Sequence, residues 1–139
     1  MIDVDVLDAL KKHTIYAEDI LQRLEGFGYT ANIADVFILK FVSEKSVNRI
    51  LNIINDVIVP EALRQVCVDM ICGEFLSEKN SLNQLGEFDV DGAIASVSMG
   101  DVSVQYDGNA SQSAKFSAFV DTLKNPLGGD LICYRKIKW

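Results

Sequence analysis

Apolar residues recur along most of this chain at helical spacing. Val4, Leu7 and Leu10, with Val6 beside them, predict a short first helix. Ile20, Leu21 and Leu24 predict a firmer one over 17–27, its end bracketed by Gly26 and Gly28. Asn32 or Asp35 is placed to cap a third, running to about Asn55. Its stripe reads Val36, Leu39, Ser43, Val47, Ile50 and Ile54, widened by Phe37, Phe41 and Leu51, with Ser43-Glu44-Lys45 as a candidate break. Pro60 suits the first position of a fourth helix, and Glu61 suits the positive end of its dipole. That helix runs to about Leu76 or Ser77, and its centre, Val66-Cys67-Val68-Asp69-Met70-Ile71-Cys72, is apolar nearly all round. Such a helix is buried on every side, within one domain or between subunits. After a polar, turn-rich stretch over 77–92, Ser111 or Ser113 opens a last helix with Phe116, Phe119, Val120 and Leu123. Asn125-Pro126 stops it.

One stretch departs from helical spacing. Residues 95–106 read A-S-V-S-M-G-D-V-S-V-Q-Y, two alternating runs meeting at Gly100-Asp101. A two-residue turn there pairs Met99 with Val102, Val97 with Val104 and Ala95 with Tyr106, all on one face. A lone hairpin is marginal in water, so its apolar face needs a cover and points to a contact device. The expected fold is therefore mainly α: a bundle of four to five helices with a β-hairpin near 95–106 and an extended C-terminal arm. The 139 residues suit a single domain. Its parts are a bundle over 1–80 and 111–125, a hairpin over 93–107 and an arm over 126–139.

Charge is unevenly spread within the net −7. Residues 1–59 sum to −3, residues 60–107 to −7 and residues 108–139 to +3. The acidic middle argues against simple phosphate binding, which needs cationic surface. It could attract the basic end of another copy, or serve solubility alone. No run of about 18 apolar residues occurs, so no membrane span is expected. The acidic start, Met1-Ile2-Asp3-Val4-Asp5, lacks the positive region of a signal peptide. Cys67, Cys72 and Cys133 have no metal-like spacing and read as reduced thiols.

Candidate chemistry is thin. His13 is the only histidine, without a serine or cysteine motif beside it. Glu87-Phe88-Asp89-Val90-Asp91-Gly92 begins like a calcium loop, but Ser98 stands where the twelfth-position glutamate belongs. Asp69, the charge inside the most apolar helix, is either satisfied within the chain by a hydrogen bond or an arginine, or reaches Arg64 or Arg49 of another subunit. No catalytic residue, metal ligand or cofactor site is expected. The end, Tyr134-Arg135-Lys136-Ile137-Lys138-Trp139, interleaves aromatics with bases. It suits weak nucleic-acid contact or docking on a neighbour, anchored by Trp139.

The helix over 35–55, then Ile58-Val59-Pro60-Glu61-Ala62-Leu63, then Val68-Asp69-Met70-Ile71-Cys72-Gly73-Glu74-Phe75-Leu76, resemble the small head–tail connector proteins of tailed bacteriophages and prophages. So do the S-V-S-M-G-D-V-S-V hairpin and the C-terminal arm. The resemblance spans roughly 35–139. It implies a non-enzymatic virion protein, made in the bacterial host cytoplasm and located in the neck between head and tail. Such proteins form a homo-oligomeric ring, commonly of twelve copies, below the portal. They extend the DNA channel, through which DNA passes without sequence-specific binding, and dock the next neck, stopper or tail protein. On this resemblance Leu131, Cys133, Tyr134, Arg135, Lys136, Ile137, Lys138 and Trp139 hold the portal or a neighbouring subunit. Val97, Met99, Gly100, Asp101, Val102, Val104 and Tyr106 form the hairpin contact. No cofactor and no membrane are implied.

Two other readings stand beside it. One is a small cytosolic helical binding module that uses the hairpin for strand addition. The other is an enzyme with carboxylate chemistry at Glu87, Asp89 and Asp91.

Overall fold

A computed structural model describes residues 15–82, 84–85, 88–89, 91–93 and 112–124. The chain is mainly helical, and the described residues contain no strand. The helix expected around 4–10, the hairpin near 95–106 and the arm over 126–139 lie outside the described residues.

Helix α1 spans Ala17–Gly26 and buries Ala17, Ile20 and Leu24. It closes through two backbone bonds, Gly28 N–H to Glu25 O at 2.9 Å and Tyr29 N–H to Leu24 O at 2.9 Å. That wrap needs a left-handed residue after the cap, and Gly28 supplies it at φ +93°. Asn32 then opens a 3-10 turn over Ile33–Asp35. Its Oδ1 accepts from Ala34 N–H at 2.9 Å, while Asp35 Oδ2 accepts from Asn32 N–H at 3.0 Å. Both residues proposed for the cap thus act in one reciprocal motif.

Helix α2 follows over Val36–Ile54 without a break at Ser43-Glu44-Lys45. It ends at Asn55, held left-handed at φ 56°, a conformation asparagine tolerates better than most residues. The six positions of its proposed stripe are all buried. Phe37 and Phe41 do not widen that face; both are exposed. The reason is helical phase. At 3.6 residues per turn, Phe37 falls about 120° and Phe41 about 160° from the centre of the buried stripe.

Pro60 precedes the next helical segment rather than opening it, with ψ 147°. A 3-10 turn over Glu61–Leu63 leads into α3, Arg64–Ser81. Helix α3 runs a turn beyond the apolar stretch because Lys79, near its end, is itself buried against Asp35. The last described helix, α4, spans Gln112–Lys124. It buries Phe116, Phe119, Val120 and Leu123, as the spacing predicts.

Helix α3 is the spine. Helices α1, α2 and α4 all pack on it, so most of its apolar centre is enclosed by the chain's own helices, with Val66 and Asp69 left half-buried. Two ion pairs, Asp35–Lys79 and Lys45–Glu74, show α2 running antiparallel to α3. Arg23–Asp69 and the Cys72 thiol facing Ile20 O show the same for α1. Helix α4 crosses α3 so closely at Gly73 that a Cβ there would lie 2.8 Å from Leu123 Cβ. Aromatic rings lock the remaining seams edge to face: Phe27 on Phe119 at 5.2 Å, Tyr29 on Phe75 at 5.4 Å and Phe88 on Phe116 at 5.9 Å.

Candidate interaction surface

The outward face of α2 carries an apolar stripe. Ile33, in the preceding 3-10 turn, is 63% exposed, Phe37 80% and Phe41 60%. Their four-residue spacing stacks them on one side of the helix. Two phenylalanines of about 150–250 Å² each make this a patch of a few hundred Å², the size that commonly marks an interaction site. Lys40 and Glu44, also exposed, flank it.

Beneath the start of this stripe lies a buried polar cluster. Asp35, at 0% exposure, faces the Lys79 ammonium at 2.8 Å. Tyr29 OH donates to Asp35 Oδ2 at 2.8 Å, and Lys79 donates to Gln84 Oε1 at 2.8 Å. Burial alone would raise the Asp35 pKa, but Lys79, Asn32 N–H and Tyr29 OH outweigh it and hold the carboxyl below its ordinary value. Burial and the neighbouring Asp35 push the Tyr29 phenol upward. Asp35 and Lys79 are buried at its centre, half-buried Tyr29 and exposed Gln84 complete it, and the pair fixes how the ends of α2 and α3 meet.

Asp69 is satisfied inside the chain. It accepts from Arg23 Nε at 2.9 Å, and the guanidinium lies over the Phe27 ring at 4.6 Å. Arg49 donates to Lys124 O at 2.9 Å, tying α2 to α4. Burial raises the Asp69 pKa more than Arg23 lowers it. Arg64 lines an open cleft of about 270 Å³ between α1 and α3, with Asp19, Gln22, Arg23 and Gln65. Its lining sets one carboxylate, Asp19, beside two arginines, of which Arg23 is already paired with Asp69.

The acidic candidates are occupied by local structure. Asp89 Oδ1 accepts Gly92 N–H at 3.1 Å, capping a helical turn at 91–93. Asp91 faces Lys115 at 3.3 Å. Among the described residues no group of three or more His, Cys, Asp or Glu could hold a metal. Cys67 and Cys72 are free and buried, and burial pushes the Cys67 thiol up to about 12. No described helix is long and apolar enough to cross a membrane.

His13, Glu87, Cys133, the seven hairpin positions and the arm over 131–139 lie outside the described residues. The sequence reading missed two features. The α2 stripe was detectable, because its phenylalanines sit out of phase with the buried positions. The Asp35–Lys79 pair was not, since 44 residues separate its members and no spacing rule links them. No protein-family model, curated protein or solved structure matches the chain.

Proposed function

We propose that this chain is a structural virion protein, a ring-forming subunit of a phage head–tail connector. It binds below the portal, extends the DNA channel and offers a docking site for the next neck or tail protein. The observation that carries the reading is the exposed Ile33–Phe37–Phe41 stripe. Among the described residues no element packs over this stripe, and we read it as a docking face for another chain. The resemblance to small connectors supports the assignment: three of its segments form α2, the Pro60 turn and α3 in that order. The acidic residues of 60–107 suit a channel past which DNA slides, because like charge prevents adhesion.

The test uses DNA-filled, tail-less heads of the phage whose genome carries this gene. Purified full-length protein added to them should bind at the portal vertex and appear as a ring by electron microscopy. Heads that bind none of it, or bind it away from the portal vertex, overturn the assignment.

A further inference from the structure

We draw no further inference here: the strongest candidate, the open cleft of about 270 Å³ between α1 and α3, is lined by Asp19, Gln22, Arg23, Arg64 and Gln65, none of them buried, and nothing among the described residues points to a ligand for it.

Discussion

The ammonium of Lys79 lies 2.8 Å from Asp35 Oδ1 and joins the last turn of α3 to the start of α2. Their side chains are 7% and 0% exposed, so neither charge can fall back on water. Lys79→Met leaves the carboxylate buried with only Tyr29 and Asn32 as donors. The expected loss is about 3–5 kcal/mol of unfolding free energy, measured by urea titration. The double variant Asp35→Asn/Lys79→Met removes both charges and should lose less than Lys79→Met alone. Equal losses would show that the ion pair is not what holds this corner.

Asp35 and Asp69 should tilt the pH dependence of stability in opposite directions. The Asp35 carboxyl is held below its ordinary value, so the unfolded chain takes up its proton first as pH falls. Its contribution is full above about pH 4 and lost as pH drops toward the folded-state value. Burial raises Asp69, so the unfolded chain releases that proton first as pH rises. Its contribution is present in acid and lost as pH climbs through the raised value. Urea midpoints recorded against pH should show Asp35→Asn flattening the acid-side fall and Asp69→Asn flattening the decline above about pH 4.

Gly73 is the point where α3 and α4 touch most closely. An added Cβ would meet Leu123 Cβ at 2.8 Å, Lys124 Cγ at 2.9 Å and Lys124 N at 3.2 Å. The lysine carbon can swing aside; the Leu123 Cβ and the Lys124 backbone cannot. Gly73→Ala gains helix propensity of up to about 1 kcal/mol, against overpacking that costs about 1–3 kcal/mol. The net is a lower thermal midpoint. A raised midpoint would mean that α4 shifts freely along α3.

These contacts also show which parts of the molecule the sequence made readable. Period fixes which residues share a face, so the α2 stripe from Val36 to Ile54 and the α4 set from Phe116 to Leu123 are buried as expected. It also implied that α3 is enclosed, because its centre is apolar nearly all round, with Asp69 the one charge. Hydrophobicity without phase misled at Phe37 and Phe41: a phenylalanine is apolar wherever it points, and only its angle from the stripe tells core from surface. The pairs Asp35–Lys79 and Arg23–Asp69 depend on how helices far apart in sequence meet. No local rule carries that information, so an in-chain arginine for Asp69 was one option among several until the helices were placed.

Cys67 and Cys72 should be inert while the protein is folded. Both are buried on α3. Burial pushes the Cys67 thiol up to about 12 and raises Cys72 as well, where the nearby Asp69 carboxylate adds to the effect. The reactive thiolate is therefore scarce at pH 8. A thiol reagent should leave both unlabelled in native protein, read by peptide mass mapping, and label both in urea. Native labelling of either would mean that α3 opens to solvent under native conditions.

Phe37 and Ile50 lie on the same helix and should respond oppositely to truncation. Ile50 is fully buried toward the core, so Ile50→Ala removes packed methyl groups and leaves a cavity. That costs about 2–5 kcal/mol of stability. Phe37 is 80% exposed, and little of its ring leaves water on folding. Phe37→Ala should stay within about 0.5 kcal/mol of the parent in urea unfolding. The same variant should weaken attachment to DNA-filled, tail-less heads, read by co-sedimentation across a concentration series. A residue retained for folding would show the reverse: a large stability loss with attachment unchanged. A residue that serves an interface leaves the monomer's stability almost untouched, and the comparison with Ile50 separates the two on one helix.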